Sequence, residues 1–223
     1  MAVRVGAIIV AAGAGARMEG VDKLFVPLSG RPLLARTVAA VQECSAVQTI
    51  VLVLSPANLD RGQKLVQSHG FDKVERVCSG GPRRQDSVRL GLEALGPCDF
   101  VAVHDGARPL VTPDLILRAL DAARETGAAV PALPLADTVK EASADGVAVR
   151  TLDRSRLWAV QTPQVFRYEL LLRAHHVMSA NVTDDAAMVE GLGESVRLFP
   201  GEPCNIKVTL PENLAMVRGL QEA

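Results

Sequence analysis

The sequence predicts an α/β fold with a doubly wound, mainly parallel sheet. Short apolar runs rich in β-branched residues alternate with amphipathic segments of helical period over roughly the first 135 residues. Glycine and proline stand at many of the segment ends, as they do in short connections between strands and helices. Because strands buried on both faces are apolar along their whole length, these runs are expected inside a parallel sheet.

The alternating part of the chain contains five expected strands and four expected helices. In order, the strands are IIV at 8–10, TIVLVLS at 49–55, a short strand at 74–77, FVAVHD at 100–105 and AAVPALPL at 128–135. The helices cover residues 32–44, 58–68, a segment that opens at Asp86 and Ser87 and runs to Leu95, and 113–125. Pro32 suits the first turn of a helix, and Gly70 suits the residue that stops one.

The alternation breaks at ADTVKEASADGVAVRTLD, residues 136–153. Two strand-like segments flank Asp145-Gly146, which is a strong hairpin signal. We therefore expect a single domain of residues 1–223 that carries an inserted β-arm at about residues 136–157. A two-stranded ribbon is marginally stable alone, so a second subunit is the natural surface for it to pack on. LWAVQTPQVF, helices near 167–179 and 183–192, the strand SVRLF and a helix from Pro211 complete the chain.

Composition excludes several classes of partner. A net charge of −1 argues against a general nucleic-acid or membrane-surface binder, and an aromatic content of 3% leaves few stacking platforms for bases. The four cysteines form no C-x-x-C pair, so reduced thiols are expected and a structural zinc site is not. Met1 leads straight into the first strand, and no apolar run reaches membrane-spanning length. We expect a cytoplasmic protein without a nucleic-acid or membrane partner.

The first loop is the strongest functional signal in the chain. Residues 7–23 read AIIVAAGAGARMEGVDK: a buried strand, a turn of small residues, and then the cations Arg17 and Lys23. Backbone N–H groups of such a turn suit a polyphosphate. The Gly-Lys-Ser/Thr of a P-loop is missing, and Met18 stands where a dinucleotide fingerprint needs its third glycine. A tight turn also favours glycine for purely structural reasons. Phosphates held between two cations suit nucleotidyl transfer.

Four further segments follow predicted strands, where open α/β sheets bind ligands. They are SGGPRRQDSV with Gly81 and Ser87, VHDGARP with Asp105 and Arg108, ADTVK with Thr138, and NIKVT with Lys207. Asp105 is the best candidate ligand for Mg²⁺, because a carboxylate beside a phosphate loop suits that ion. The alternative is an Asx-turn residue at the Asp-Gly turn. His104 is expected to be structural, and one interpretation of Arg83 and Arg84 is that each is a solvated charge on a helix face.

The ordered motifs resemble one enzyme family. They are A-A-G-x-G-x-R-M…K, G-G…R-x-D-S-V, V-H-D-x-A-R-P, D-T-V-K, Q-T-P-Q-x-F, T-D-D and N-I-K-V-T-x-P-E. Together, over about residues 5–220, they resemble the 2-C-methyl-D-erythritol 4-phosphate cytidylyltransferases. The resemblance implies a Rossmann-like nucleotidyltransferase fold and transfer of CMP from CTP to methylerythritol phosphate, in the non-mevalonate route to isoprenoids. It also implies a homodimer whose β-arm crosses to the partner, with Mg²⁺ or another divalent cation as cofactor.

The resemblance also implies a role for each matching residue. Arg17 and Lys23 would stabilise the transition state, while Arg154 and Lys207 would position the methylerythritol phosphate. The CTP site, with Asp105 as metal ligand, would comprise Ala11, Ala12, Gly13, Ala14, Gly15, Gly81, Ser87, Asp105 and Arg108. Thr138, Thr162 and Thr183 would complete the acceptor pocket. Of these residues, Arg154, Thr162 and Thr183 would come from the other subunit.

Some positions depart from the family pattern, and other functions stay open. Val10 and Asp22 stand where prolines are common, and Pro82 and Cys204 stand where some members carry an acid. The nearest alternative is a cytidylyltransferase for another polyol phosphate, such as ribitol 5-phosphate. A nucleotide-binding regulatory module would not need Arg17, Lys23 and Asp105 together. A nicotinamide oxidoreductase is disfavoured by the missing third glycine.

Overall fold

A computed structural model describes residues 3–13 and 22–222 of the chain. The described strands are β1 Val5–Ala11, β2 Pro27–Leu28, β3 Arg31–Pro32, β4 Val47–Leu54, β5 Val74–Ser79, β6 Phe100–Asp105, β7 Ala128–Pro134, β8 Lys140–Ala142, β9 Ala148–Thr151, β10 Trp158–Val160, β11 Gln164–Arg167 and β12 Arg197–Pro200. The described helices are α1 Leu33–Glu43, α2 Leu59–His69, α3 Arg84–Leu95, α4 Pro113–Thr126, α5 Tyr168–Val177, α6 Asp185–Gly191 and α7 Pro211–Glu222.

One eight-stranded sheet organises the fold. Strands β5, β4, β1 and β6 are parallel neighbours, and β12 runs parallel to β7. Strand β11 lies between β6 and β7 and is antiparallel to both, and β10 is antiparallel to β7. The predicted α/β fold with a mainly parallel sheet is therefore confirmed. The insertion of β11 into the middle of the sheet is the feature that the alternation did not predict.

Helices cover both faces of the sheet. The side chains of the central strands are therefore buried on both sides, which agrees with their apolar sequences. On one face, Ile9 packs in a cluster that includes residues of α1, α2 and α4. On the other face, Ile8 packs in a cluster that includes residues of α3, α5 and α6. Because successive side chains of a strand point to opposite faces, Ile8 and Ile9 are both fully buried, in different clusters. This arrangement is the doubly wound form.

The predicted hairpin is present in the arm. Strands β8 and β9 pair antiparallel, and Lys140 lies opposite Thr151. Gly146 has a φ of 82°, a left-handed conformation that favours glycine, and it lies in the turn between the two strands. All residues of β8 and β9 are exposed in this chain, and Val147 and Val149 are 62% and 64% exposed. The hairpin thus stands away from the core of its own chain.

A third, smaller apolar cluster holds the last part of the chain in place. Residues 201–210 contain no regular helix or strand. Val208 nevertheless packs in the interior with Leu28, Leu33 and Val217, and its N–H donates to the Ala107 carbonyl at 2.8 Å. The loop that carries Lys207 is therefore fixed by the turn after β6 and by α7. No helix among the described residues has the length and apolar character needed to cross a membrane.

Candidate active site

Two adjoining cavities lie near the carboxyl ends of the central strands. The first, of about 430 Å³, is lined by residues that follow β1, β5 and β6. The second, of about 200 Å³, is lined by residues that follow β6 and β10 and precede α6. Arg84, Asp105 and Lys207 line both cavities. A charged junction of two cations and one carboxylate therefore separates the two spaces.

Most of the predicted site residues meet at these cavities. The first cavity contains Ala11, Ala12, Gly13, Lys23, Gly81, Ser87, Asp105 and Lys207. The second contains Asp105, Arg108, Thr162, Thr183 and Lys207. Thr138 and Arg154 lie on the arm and line neither cavity of their own chain. Ala14, Gly15 and Arg17 lie outside the described residues.

Close packing explains the glycine pair beside the first cavity. A Cβ added at Gly80 would lie 2.3 Å from the Cβ of Ala12. The loop after β5 can therefore approach the loop after β1 this closely because Gly80 has no side chain. The Gly81 N–H donates to Ser87 Oγ at 3.2 Å, and the Ser87 hydroxyl donates to the Arg83 carbonyl at 3.1 Å. The loop after β5 is thereby held at the start of α3.

Asp105 is surrounded by three cations. Its Oδ2 lies 2.8 Å from Lys207 Nζ and 3.6 Å from Arg108 Nε, and its Oδ1 lies 3.4 Å from Arg84 Nε. Burial alone would raise the pKa of this carboxyl, but the charges of Arg84, Lys207 and Arg108 hold that pKa well below its ordinary value. Asp105 is therefore a carboxylate at neutral pH. Oδ1 is the less tightly held of its two oxygens.

A buried hydrogen-bond chain fixes the backbone of Asp105. The Asp105 N–H donates to Thr162 Oγ1 at 3.1 Å, and Thr162 Oγ1 lies 2.9 Å from His104 Nδ1. Burial lowers the pKa of His104 to about 4, so this ring is neutral. Its Nε2 lies 3.2 Å from the Arg108 carbonyl, which can only accept a hydrogen bond. The proton therefore belongs on Nε2, and Thr162 donates to Nδ1.

Asn205 joins this chain to the loop of Lys207. Its side-chain Nδ2 donates to the Thr162 backbone carbonyl at 2.8 Å, and the backbone carbonyl of Asn205 accepts from Arg108 Nη1 at 2.6 Å. Thr162 is thus held among residues of its own chain at the second cavity, and Thr183 lines the same cavity. The resemblance implied that both threonines serve the other subunit's site. The contacts of Thr162 to His104 and Asn205 lie within one chain, and the assignment of both threonines to the other subunit's site stays a prediction.

Lys23 and Asp22 have separate partners. Lys23 Nζ donates to the Val208 carbonyl at 2.8 Å, which places Lys23 beside the loop of Lys207. The Asp22 carboxylate accepts from the Leu24 N–H at 3.2 Å and from Asn58 Nδ2 at 2.7 Å, and it lies 3.3 Å from Arg61 Nη1. The acid beside Lys23 is thus directed toward Asn58 and Arg61.

Comparisons with known proteins agree on one family. A family model described as 2-C-methyl-D-erythritol 4-phosphate cytidylyltransferase matches residues 5–220. A protein of that name from Dehalococcoides mccartyi strain CBDB1 is 49% identical over 213 residues, which are 96% of this chain and 94% of the relative. The chain belongs to the 2-C-methyl-D-erythritol 4-phosphate cytidylyltransferase family.

Solved structures of relatives have the same fold. The 4-diphosphocytidyl-2C-methyl-D-erythritol synthase of Anaerococcus prevotii superposes with a TM-score of 0.88 at 29% identity over 100% of both chains. The 2-C-methyl-D-erythritol 4-phosphate cytidylyltransferase of Thermus thermophilus superposes with a TM-score of 0.80 at 33% identity, also over 100% of both chains. The chain is accordingly a nucleotidyltransferase with a Rossmann-like α/β fold.

The cytidylyltransferase site offers Mg²⁺ one carboxylate. Asp105 is the acidic residue among the described residues that line the first cavity. Within residues 3–13 and 22–222, no group of three or more His, Cys, Asp or Glu side chains is arranged to hold a metal ion. Mg²⁺ is often bound through one or two carboxylates, with substrate phosphates and waters in its remaining positions. The donor chemistry fits a metal that arrives with phosphates, with Asp105 Oδ1 as the protein ligand.

Sequence reasoning missed a buried ion pair at the cytidylyltransferase site. Arg84 lines both cavities, and its Nη1 lies 2.6 Å from Oδ2 of the fully buried Asp185. Arg84 is the first residue of α3, where the helix dipole disfavours a cation. A cation at this unfavourable position, beside the Gly80-Gly81 loop, was the feature of the sequence that could have indicated a functional role for Arg84. Asp185 is the second acid of the T-D-D motif, and nothing in the sequence distinguished it from an acid that caps a helix.

Proposed function

We propose that this chain joins CMP from CTP to 2-C-methyl-D-erythritol 4-phosphate and releases pyrophosphate. The products are pyrophosphate and 4-diphosphocytidyl-2-C-methyl-D-erythritol, in the non-mevalonate route to isoprenoids. The observation that carries the proposal is the junction of Arg84, Asp105 and Lys207 between two cavities. CTP would occupy the first cavity, and the acceptor would occupy the second. The phosphate of the acceptor and the α-phosphate of CTP would then meet at the junction.

The chemistry requires cations more than it requires a base. The nucleophile is an oxygen of a phosphate monoester, which is already an anion at neutral pH. The barrier is the approach of this anion to a triphosphate, and positioned cations lower such a barrier as charge builds on the equatorial oxygens. Lys23, which lines the first cavity, would supply such a cation together with Arg17, and Lys207, which lines both cavities, would position the acceptor phosphate.

The Thr162–His104 contact does not serve as a nucleophile and base. Thr162 is buried, and its oxygen already accepts the Asp105 N–H. His104 is equally buried and makes its second hydrogen bond with the Arg108 carbonyl. These two side chains hold the end of β6 in position. Ala11, Ala12, Gly13, Gly81 and Ser87 would contact the nucleotide.

Mg²⁺ is the proposed cofactor, with Asp105 as its protein ligand. When bound, the ion would neutralise charge on the phosphates of CTP and on the leaving pyrophosphate. Asp105→Asn removes the charge and keeps an oxygen at the same place. A Mg²⁺ titration of this variant should require more metal for half-maximal rate than the wild type. An unchanged titration curve would leave Asp105 with its structural contacts alone.

We also propose that the chain is a cytoplasmic protein and forms a homodimer through the arm. The arm has exposed Val147 and Val149, and Arg154 lies near its end. Arg154 and Thr138, which line neither cavity of their own chain, would contact the acceptor in the partner's site. The proposed partners are small-molecule substrates and a second copy of the chain, without nucleic acid or membrane.

An assay of pyrophosphate release tests the proposed reaction. The purified chain is given each of CTP, UTP, ATP and GTP with each of methylerythritol phosphate and ribitol 5-phosphate, with and without Mg²⁺. Turnover is expected only when CTP, methylerythritol phosphate and the metal are present together. Faster turnover with ribitol 5-phosphate, or with another nucleotide, would contradict the assignment.

A further inference from the structure

We infer that Arg84, anchored by Asp185, is a positioning residue that orients the Asp105 carboxylate and couples the two substrate cavities. The inference deepens the proposed function and rests on it for its kinetic measurement. Arg84 is one of three described residues that line both cavities, and it is the one of the three that reaches a second, buried acid.

The guanidinium of Arg84 spans two carboxylates on different elements. Nη1 donates to Asp185 Oδ2 at 2.6 Å, and Nε donates to Asp105 Oδ1 at 3.4 Å. Asp185 is fully buried, so its charge depends on this partner and on His175, whose Nε2 lies 3.5 Å from Oδ1. The planar fork of an arginine suits such a bridge, whereas a single ammonium group cannot occupy both positions.

The local placement of Arg84 is unfavourable without this bridge. A cation in the first turn of a helix opposes the helix dipole, and α3 begins at Arg84. The preceding residue, Arg83, contacts Asp86 of its own helix at 2.7 Å and is more exposed. Arg84 instead points toward the two acids. A residue that breaks a local rule and is compensated by buried acids is expected at a functional site.

The anchor also adjoins the second cavity. Asp185 begins α6, and its N–H donates to Gln164 Oε1 at 3.2 Å. Thr183 and Asp184, which come just before it, line the second cavity, and Gln164 Nε2 donates to Asp184 at 2.7 Å. The Arg84–Asp185 pair thus connects Asp105, which lines both cavities, with the segment that shapes the acceptor side.

Four variants of the pair and one control, together with Asp105→Asn and its combinations with them, separate positioning from simple stabilisation. Arg84→Gln and Asp185→Asn each leave one partner of the pair unmatched. The double variant removes both charges and keeps polar groups in both places. Arg84→Lys keeps the charge beside Asp185 and loses the fork, and it serves as the test if the single variants fold poorly. Arg89→Gln is the control, because Arg89 lies on the same helix in an exposed pair with Glu93.

The first measurement is the urea midpoint of unfolding, which needs neither substrate nor metal. The single variants should have lower midpoints, and the double variant should recover much of the loss. Arg84→Lys and Asp105→Asn are also combined in a double-mutant cycle. If Arg84 contacts Asp105, the change in the midpoint of the combined variant should differ from the sum of the two single changes. Additive midpoints would overturn the contact on which the positioning role depends.

The second measurement is steady-state kinetics with CTP and methylerythritol phosphate. The double variant and Arg84→Lys should have kcat/KM roughly tenfold to a hundredfold below wild type, the usual range for residues that orient a functional group. Asp105→Asn should cost less in the double variant than in wild type, because the carboxylate is already misplaced there. Arg89→Gln should match wild type.

Three outcomes would overturn the inference. The first two are a wild-type kcat/KM in a double variant that has regained stability and a wild-type kcat/KM in Arg84→Lys. The third is an Asp105→Asn substitution that lowers kcat/KM by the same factor in the double variant as in wild type. A failure of the proposed function would give a different result. The wild-type chain itself would then not convert CTP and methylerythritol phosphate, while the unfolding cycle would still report whether Arg84 contacts Asp105.

Discussion

Lys207 Nζ lies 2.8 Å from Asp105 Oδ2, and this ion pair joins the loop after β12 to the end of β6. The two partners differ in access: the side chain of Lys207 is 41% exposed, whereas that of Asp105 is 9% exposed. The carboxylate is also held by Arg84 and Arg108, so Lys207 is its most accessible partner. An entering phosphate would therefore compete with Asp105 for Lys207 without leaving the carboxylate unpaired.

Lys207→Ala should lower kcat/KM for the acceptor by roughly tenfold to a hundredfold, because a hydrogen bond to a charged group contributes about 1.5–3 kcal/mol. The loss should appear mainly as a higher KM for methylerythritol phosphate. Lys64→Ala, on the exposed side of α2, is the matched control and should change neither constant. A Lys207→Ala variant with an unchanged KM for the acceptor would remove Lys207 from the acceptor site.

Lys23→Ala and Arg17→Ala should each lower kcat by roughly a hundredfold or more, the scale of losing one positioned transition-state donor. CTP affinity should change much less, since backbone groups of the first and second loops would hold most of the nucleotide. Titration calorimetry with CTP and steady-state kinetics separate the two effects. If the whole loss appeared in CTP binding while kcat stayed intact, both residues would only bind the nucleotide.

The Arg84–Asp185 pair predicts a particular dependence of stability on pH. Burial alone would raise the pKa of Asp185, but Arg84 on α3 and His175 on α5 hold it below the ordinary carboxyl value. A group with a lowered pKa in the folded state stabilises fully above its unfolded value, about 3.9 for Asp, and this stabilisation is lost as pH falls toward the folded value.

Asp185→Asn should therefore lower the free energy of unfolding by about 3–5 kcal/mol at pH 5.5, the range for breaking a buried pair. The difference between wild type and variant should shrink at about pH 3, because the unfolded wild type then binds a proton at Asp185 more readily than the folded protein does, and the wild type loses stability that the variant never had. Urea unfolding of both proteins at the two pH values provides the measurement. A difference that stays constant would mean that the charge of Asp185 contributes nothing to the stability.

The order of elements and much of the first cavity were predictable from local patterns. Apolar runs mark the strands, and the residues just after β1 and β6 line the site because parallel strands end at one edge of a sheet. The position of β11 was not predictable in this way, since the same apolar pattern suits a parallel or an antiparallel neighbour. Arg84 was missed because its partner Asp185 lies 101 residues away in the chain. The bond between Thr162 and His104 was likewise not predictable, because 58 residues separate the two in the chain.

The last prediction concerns the arm: Arg154 should act in the partner's active site. Arg154 lies in a short helical turn at the end of the arm, donates to the Ala136 carbonyl, and lines neither cavity of its own chain. Arg17→Ala and Arg154→Ala homodimers should both be nearly inactive. In a mixed dimer of the two, an arginine that acts across the interface leaves one site with both defects and one site with neither.

Random exchange of subunits makes half of the dimers mixed, so about a quarter of wild-type activity should return, by the counting of a closed two-fold dimer. Mixing Arg17→Ala with Lys23→Ala is the matched control: both residues belong to the first loop of the same chain, so every site keeps one defect and no activity should return. Mass spectrometry confirms that exchange has taken place. If the Arg17→Ala and Arg154→Ala mixture also stays inactive after confirmed exchange, then Arg154 acts within its own chain or not at all. The proposal that the arm carries Arg154 into the partner's active site is then wrong.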